Sequence, residues 1–179
     1  RAQRKSEPLP ANGSGYGMLI GLPRIGRDGN TFIVYKLRTM HPYSEFLQEY
    51  VYDLHDLQAG GKLKHDFRVT GWGRFSRRIW LDELPMIVNY FRGDMKIVGV
   101  RPLSQHYFNL YDDEFRSRRI KYKPGLIPPY YTDMPEGLEE IQRSEIKYLD
   151  AWDKNHLGTD LRYFFKSIYN ILFKNARSN

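Results

Sequence analysis

The chain has 179 residues, of which 41% are hydrophobic and 15% aromatic, enough to bury one sizeable core, so we expect a single domain. It has no cysteine, which excludes disulfides, thiolate metal ligands and a cysteine nucleophile. Lys and Arg number 28 against 21 Asp and Glu, and the formal net charge of +7 favours an anionic partner: nucleic acid, an anionic membrane surface or a phosphorylated substrate.

The amino-terminal segment, residues 1–15, is polar and rich in Pro, Gly and Ser, and it lacks the apolar core of a signal peptide. We interpret it as a linker or a trimmed end, and we assign residues 16–179 to one domain. The sequence contains no run of about 18 or more apolar residues, so it predicts no membrane-spanning helix.

A β-hairpin is predicted next. Two apolar runs flank Asp28-Gly29, a pair that is suited to a tight turn. Lys36 and Arg38 lie at the end of the second run, so the hairpin should carry two positive charges where the chain leaves its second strand.

The following two segments are predicted to be a helix and a loop. Apolar residues recur at helical spacing from Tyr43 to Gln58, which indicates an amphipathic helix. Residues 62–78 are basic and include two glycines, a composition that favours an irregular loop or a bend.

Two adjacent acids, Asp82 and Glu83, precede a short apolar segment. Pro85 is tolerated in the first turn of a helix because its missing N–H would be unpaired there in any case. Gly93 is suited to end the helix. We therefore predict a short helix that starts directly after the two acids.

The elements beyond this segment are predicted from the same periodicities. In chain order they are a strand at 96–99, a charged helix over 104–122, a proline-rich loop over 123–137, a helix over 138–153 and an apolar helix over 160–174. The last carries bulky aromatics and lysines, which is typical of a membrane-interface helix and equally of a core helix with one solvated edge. The predicted fold class is α+β, a mainly helical single domain with a small β-hairpin beside the helix that follows the acids.

The position of the two acids allows several kinds of chemistry. Free N–H groups and the dipole at a helix start favour negative charge by ~0.3–1 kcal/mol, so both carboxylates should stay ionised. Adjacent carboxylates can share a hard cation such as Mg²⁺, which takes oxygen ligands and often bridges to substrate phosphates. An aspartate here can also act as a nucleophile or a general base. The residues alone leave these roles open, together with a purely structural ion network.

Basic residues lie near the acids in sequence or leave the hairpin predicted beside them. They are Lys36, Arg38, Arg77, Arg78 and Arg101. Arginine recognises phosphate bidentately, and lysine supplies a point charge. Each alone is typical of a solvated surface, but together with paired acids they predict a site for a diphosphate.

Four stretches carry a more specific signal: "YKLRTM" at 35–40, "LDELPMIVNYFRGDMKIVGVRPL" at 81–103, "YKPGL" at 122–126 and "YFFKSIYNIL" at 163–172. In this order they resemble the bacterial sugar transferase family. Its members are monotopic polyprenyl-phosphate phosphoglycosyl transferases, which start the assembly of lipid-linked glycans.

The resemblance implies transfer of a sugar 1-phosphate from a nucleotide diphosphate sugar, usually a UDP-sugar, to polyprenyl phosphate, with release of UMP. It implies that Asp82 is the nucleophile of a covalent phosphosugar intermediate, that Glu83 supports it, and that both hold the cofactor Mg²⁺. The basic residues named above would contact the phosphates. It also implies a monotopic or peripheral enzyme on the cytoplasmic face of the bacterial inner membrane, acting in capsule, exopolysaccharide, O-antigen or glycoprotein glycan synthesis.

Three departures from the family pattern accompany the resemblance. Val100 stands where a proline usually precedes Arg101, "LIPPYY" at 126–131 replaces the usual continuation after "KPG", and residues 1–15 cannot be the family's re-entrant membrane helix. Either the chain is trimmed at this end or this branch docks on the membrane without that helix, and in both cases residues 160–174 and the net positive charge are the expected membrane contacts.

Two other classes of function fit parts of the sequence. A catalytically reduced module that binds a nucleotide sugar or partner proteins at the membrane surface fits the departures, although the intact acid pair argues against it. Nucleic-acid binding rests on basicity and interleaved aromatics, and because no known motif supports it we expect no nucleic-acid partner. The sequence leaves open whether copies of the chain form a homo-oligomer.

Overall fold

The computed structural model describes residues 17–47, 66–135 and 137–174. Strands β1 (Leu19–Ile25) and β2 (Thr31–Leu37) pair antiparallel along their whole length, which confirms the predicted hairpin. Its turn contains Asp28 at φ 58° and Gly29 at φ 75°, left-handed conformations that these two residue types adopt more readily than most. The predicted linker over residues 1–15 lies outside the described residues.

The segment after the hairpin differs from its prediction. A 3-10 helix, Pro42–Leu47, covers the start of the predicted amphipathic helix, and the rest of that helix lies outside the described residues. Helix α1 (Gly71–Arg78) occupies part of the stretch predicted to be an irregular loop. That prediction is wrong because Thr70 caps a helix there, accepting a hydrogen bond from the Gly73 N–H at 2.9 Å.

Gly73 allows α1 to approach the end of the hairpin closely. A Cβ atom at this position would lie 1.9 Å from the Thr39 carbonyl oxygen, so no other residue type fits without displacing the backbone. The N–H and hydroxyl of Thr70 both donate to the same oxygen, at 3.0 and 3.2 Å. This contact holds α1, and with it Arg77, against the chain that leaves β2.

The acid pair lies in a 3-10 helix, Leu81–Met86, which leads directly into α2 (Ile87–Phe91). The predicted helix exists, but its start was placed too late, because the 3-10 turn already contains both acids. Trp80 precedes it at φ 61°, and this left-handed residue turns the chain between α1 and the acids. Gly93, at φ 80°, follows α2 as predicted for a helix stop.

The carboxyl-terminal half combines a small parallel sheet with helices. In chain order its elements are β3 (Lys96–Val98), α3 (Gln105–Asn109), α4 (Asp113–Arg119), β4 (Gly125–Ile127), α5 (Tyr130–Asp133), α6 (Leu138–Lys154) and α7 (His156–Phe173). The predicted strand at 96–99 and helix over 138–153 are confirmed. Helix α7 begins before the predicted start at Asp160, because Asn155 caps it by accepting from the Gly158 N–H at 2.9 Å.

Two predictions in this half are wrong. The single helix predicted over 104–122 is divided because Asp112 starts a new one: its Oδ1 accepts from the Phe115 N–H at 2.7 Å. The proline-rich loop predicted over 123–137 contains β4 and α5. Pro128 and Pro129 lie between these two elements, where neither has to donate a ladder hydrogen bond.

Two hydrophobic clusters hold the elements together. The larger joins the β3–β4 sheet to α4, α5, α6 and α7, and its most buried members are Val100, Tyr131, Tyr148, Leu149 and Tyr163. The smaller joins β2 to the segment of the acids through Val34, Met86 and Met95. The architecture is a mainly helical α+β domain, as predicted, with the hairpin beside the acid pair.

Candidate active site

Asp82 is a buried carboxylate with an unsatisfied oxygen. The residue is 6% exposed, and within the described part of the chain no donor reaches its buried Oδ1. Burial raises the pKa of Asp82 and the Glu83 carboxylate raises it further, whereas the charges of Lys36 and Arg77 lower it. A buried acceptor without a partner, inside a cluster of charges, is typical of a reactive or ligand-binding group.

Glu83 is paired with Lys36. The Lys36 Nζ donates to Glu83 Oε1 at 2.6 Å, and the two side chains are 23% and 13% exposed. Salt screens this half-buried pair less than it would screen one on the surface. Because Lys36 belongs to β2, the ion pair joins the hairpin to the segment of the acids.

Arg77 approaches the acids from α1. Its Nε donates to Oγ1 of the buried Thr39 at 3.0 Å, which orients the guanidinium. Burial lowers the pKa of Arg77, while the carboxylates of Asp82, Asp66 and Glu83 raise it. The guanidinium therefore lies within the electrostatic field of both acids.

Asn89 fastens this segment to the hairpin. It is fully buried; its Oδ1 accepts from the Tyr35 N–H at 3.2 Å and its Nδ2 donates to the Ile33 carbonyl at 2.6 Å. The side-chain amide thus pairs with β2 as a third strand would, on the edge that β1 does not cover. Lys36 directly follows Tyr35, so this contact helps to set the position from which the lysine reaches Glu83.

Arg101 follows the end of β3. Its guanidinium carbon lies 5.5 Å from the centre of the Tyr130 ring, within range of a cation–π contact. Tyr130 chiefly, followed by Tyr131 and Glu83, raises the pKa of Arg101. The charge of Arg101 is therefore coupled to Glu83 as well as to the ring.

Arg38 and Arg78 are placed differently from the other predicted phosphate ligands. The Arg38 Nε donates to the Gly17 carbonyl at 2.9 Å, at the beginning of the hairpin. Arg78 is exposed at the end of α1. The structure brings together Asp82, Glu83, Lys36, Arg77 and Arg101, and it places neither Arg38 nor Arg78 in contact with the acids.

The chemistry of the acid pair would suit a magnesium ion that a substrate helps to bind. Among residues 17–47, 66–135 and 137–174, no three His, Asp or Glu side chains cluster closely enough to hold a metal by themselves. Two carboxylates suffice in many sites where Mg²⁺ keeps several waters and binds substrate phosphates. The unpartnered Oδ1 of Asp82 and its raised pKa mark a position where a cation would be stabilising.

Two segments of the chain carry many of the exposed apolar side chains, and each set is called a row below. The α1–α2 row consists of Trp72, Phe75, Ile79, Leu84, Ile87, Val88 and Phe91, which are between 43% and 78% exposed. The α7 row consists of Leu157, Leu161, Phe165, Leu172 and Phe173. No helix in the described ranges is both long enough and apolar enough to cross a bilayer. Exposed apolar surface on this scale is typical of an interaction surface.

Comparison with known proteins identifies the class of this domain. The family model described as "Bacterial sugar transferase" matches residues 12–174, a range that includes every residue of the site described above. The chain belongs to this family, as its four motifs predict.

Three relatives show what the family contains. The undecaprenyl-phosphate galactose phosphotransferase of Salmonella typhimurium is 32% identical over 156 residues, covering 83% of this chain and 32% of that protein. The UDP-glucose:undecaprenyl-phosphate glucose-1-phosphate transferase of Caulobacter vibrioides is 31% identical over 162 residues, covering 83% and 54%. The exopolysaccharide production protein ExoY of Sinorhizobium fredii is 34% identical over 169 residues, covering 86% and 70%. The chain thus spans less than two thirds of the length of the first two.

Three residues that build the site were missed by the sequence analysis: Thr39, Asn89 and Tyr130. Thr39 lies inside the "YKLRTM" motif, and Asn89 is a polar residue in an otherwise apolar turn, so each carried a signal. Tyr130 lies in the "LIPPYY" stretch that departs from the family pattern, but its segment was predicted to be a loop and no role was assigned to it.

Proposed function

We propose that the chain transfers a sugar 1-phosphate from a nucleotide diphosphate sugar to polyprenyl phosphate. The observation that carries this proposal is the buried Asp82 carboxylate, with one oxygen unpartnered, beside Glu83, Lys36 and Arg77. The relatives from Salmonella and Caulobacter are named for undecaprenyl phosphate, and the second also for UDP-glucose. We infer a UDP-sugar as donor and undecaprenyl phosphate as acceptor.

The reaction consists of two displacements at one phosphorus atom. First, an Asp82 carboxylate oxygen attacks the β-phosphorus of the UDP-sugar; the new oxygen–phosphorus bond forms, the bond to the bridging oxygen breaks, and UMP leaves with the electron pair. Then a phosphate oxygen of the acceptor attacks the same phosphorus and releases the Asp82 carboxylate. The products are polyprenyl diphosphate sugar and UMP, with no net uptake or release of a proton.

The charges around Asp82 support this chemistry. A carboxylate and a diphosphate repel each other, and Lys36, Arg77 and Arg101 reduce that repulsion. Glu83 holds Lys36 in place and, with burial, keeps the pKa of Asp82 high, which makes its carboxylate a better nucleophile. Asp82 and Glu83 would hold a magnesium ion, which would supply positive charge that favours departure of UMP.

Release of UMP tests the proposal directly. We expect the 179-residue chain, mixed with UDP-glucose or UDP-galactose and undecaprenyl phosphate in detergent micelles, to release UMP in the presence of Mg²⁺ and to stop when EDTA is added. Because the first displacement does not need the acceptor, labelled UMP should also exchange into the UDP-sugar without undecaprenyl phosphate. Calorimetric binding of UDP-sugars with neither release nor exchange would contradict the proposal and favour the non-catalytic binding module.

We propose in addition that the α1–α2 row contacts the cytoplasmic face of the inner membrane. The tail of a polyprenyl phosphate stays in the bilayer, so its phosphate reaches Asp82 only where the neighbouring protein surface meets the membrane. The row flanks the acids on both sides in the chain, and the exposed Arg74, Arg78 and Arg92 add charge for anionic headgroups. The α7 row, which is the contact expected from the sequence, is the alternative.

Vesicle flotation distinguishes the two rows. We expect the double variant Phe75→Ser/Phe91→Ser to bind vesicles of phosphatidylethanolamine and phosphatidylglycerol at least about ten-fold more weakly, because each large apolar side chain contributes ~1.5–3 kcal/mol when it leaves water. The matched variant Phe165→Ser/Leu172→Ser should bind like the parent. The reverse ranking would assign the membrane contact to α7.

A further inference from the structure

A buried ion pair lies behind Arg101. The Arg119 Nε donates to Glu145 Oε2 at 2.9 Å, and the two side chains are 3% and 1% exposed. Arg119 belongs to α4 and Glu145 to α6. Removing two charges from water costs free energy that an ion pair alone often does not recover, so the other contacts of the pair indicate its role.

The same two side chains hold the backbone of Arg101 from both sides. Glu145 Oε1 accepts from the Arg101 N–H at 3.0 Å, and Arg119 Nη2 donates to the Arg101 carbonyl oxygen. Both bonds involve a charged group, which makes them stronger than bonds between neutral groups. Because the preceding residue is Val100, no proline ring restricts the chain on the amino-terminal side of Arg101, and the clamp adds to the restraint that Pro102 imposes from the other side.

The side chain of Arg101 is supported by an aromatic ring, and the Glu83 carboxylate acts on it through its charge. Its guanidinium lies over the Tyr130 ring, and the ion pairs of the described residues do not include Arg101. Tyr130 is itself held in place, since it follows the fully buried Pro129 at the start of α5. An arginine with a fixed backbone, a supporting ring and available donors is preorganised to bind an anion.

We propose that Glu145, Arg119 and Tyr130 are positioning residues that hold Arg101 against the diphosphate of the nucleotide sugar. The inference rests on the proposed function, in which Arg101 contacts a phosphate. A misplacement of about 1 Å in such a group can lower the rate ~100-fold, so the clamp should affect catalysis without touching the substrate.

Arg119→Lys tests the clamp with little change in charge. Lysine keeps a positive charge beside Glu145 but loses the planar fork that reaches both Glu145 and the Arg101 carbonyl. We expect kcat/KM for the UDP-sugar to fall about ten-fold or more in a protein that circular dichroism shows to be folded.

Arg118→Lys is the matched control. Arg118 is the neighbouring residue on α4, and it pairs with Asp150 at 2.7 Å and Asp153 at 3.0 Å, both on α6, as Glu145 is. These contacts are partly exposed and do not involve Arg101. The same substitution here should leave kcat/KM within about two-fold of the parent value.

A double-mutant cycle separates positioning from a general structural role. If Arg119 acts through Arg101, Arg119→Lys lowers kcat/KM in the parent and has no further effect in an Arg101→Ala background. Tyr130→Leu should likewise lower kcat/KM in the parent and have no further effect in the Arg101→Ala background. Tyr130→Phe keeps the ring and should keep the parent's kcat/KM. If Arg119→Lys lowers kcat/KM equally in the parent and in the Arg101→Ala background, the clamp is overturned and the proposed function stays intact. Unchanged kcat/KM in Arg101→Ala alone would overturn both the clamp and the phosphate role of Arg101.

Discussion

Asp82→Asn is expected to abolish sugar-phosphate transfer. The amide has nearly the same shape as the carboxylate but cannot form the bond to phosphorus. UMP release and UMP exchange should therefore both fall by on the order of 10³-fold or more, as when the nucleophile of other covalent enzymes is removed. A variant that keeps most of the parent's activity would exclude nucleophilic catalysis by Asp82.

The same substitution should make the domain more stable. Burial and the Glu83 carboxylate raise the pKa of Asp82, so the ionised form destabilises the folded state relative to the unfolded chain. Asparagine removes the charge, and we expect the free energy of unfolding at neutral pH to rise by on the order of 1 kcal/mol, or about 3 °C in Tm. The difference between parent and variant should shrink as the pH falls through the raised pKa, because Asp82 of the parent then takes up a proton.

Asp28→Asn is the matched control for both effects. It makes the same chemical change at an exposed residue of the hairpin turn, where φ is 58°, a conformation that asparagine also adopts. Activity should be unchanged, and stability should stay within about 0.5 kcal/mol. Thermal unfolding followed over a range of pH gives the comparison. If Asp82→Asn melts like the parent at every pH, burial of the charge does not destabilise this fold.

Much of the fold could be predicted because it follows from local patterns. Asp28-Gly29 between apolar runs indicates the hairpin, and apolar residues that recur at helical spacing over a long stretch indicate α6. Prediction failed where a single polar side chain decides the outcome: Thr70 starts α1 in a stretch with glycines, and Asp112 divides a predicted helix in two. A cap of this kind contributes about 1 kcal/mol, which is enough to set a boundary that hydrophobic periodicity does not show.

The site could be predicted only as far as its residues are close in sequence or belong to a motif. Asp82 and Glu83 are adjacent, and their motif indicates their chemistry. The bonds that position their neighbours cross long separations: Glu145 lies 44 residues after Arg101, and Asn89 lies 54 residues after Tyr35. No local pattern relates residues so far apart, because tertiary packing alone brings them together.

Asn89→Ala is expected to destabilise the domain by about 3 kcal/mol. Alanine removes both polar atoms of the amide, so the Tyr35 N–H and the Ile33 carbonyl lose their partner on that edge of β2, each at a cost of ~1–3 kcal/mol. The missing side chain also leaves a small cavity, because Asn89 is fully buried. Urea denaturation measures the change. Asn109→Ala, at an exposed position of α3, is the control and should shift stability by no more than about 0.5 kcal/mol.

Loss of this contact should also lower activity in Asn89→Ala molecules that remain folded. The strand that Asn89 holds presents Lys36, whose Nζ lies 2.6 Å from Glu83 Oε1. A strand free to shift loosens this ion pair beside Asp82, so UMP release measured well below the melting temperature should fall about ten-fold. Asn109→Ala should keep the parent's rate. Full activity in folded Asn89→Ala would mean that Lys36 and Glu83 align without the strand contact, and that Asn89 serves stability alone.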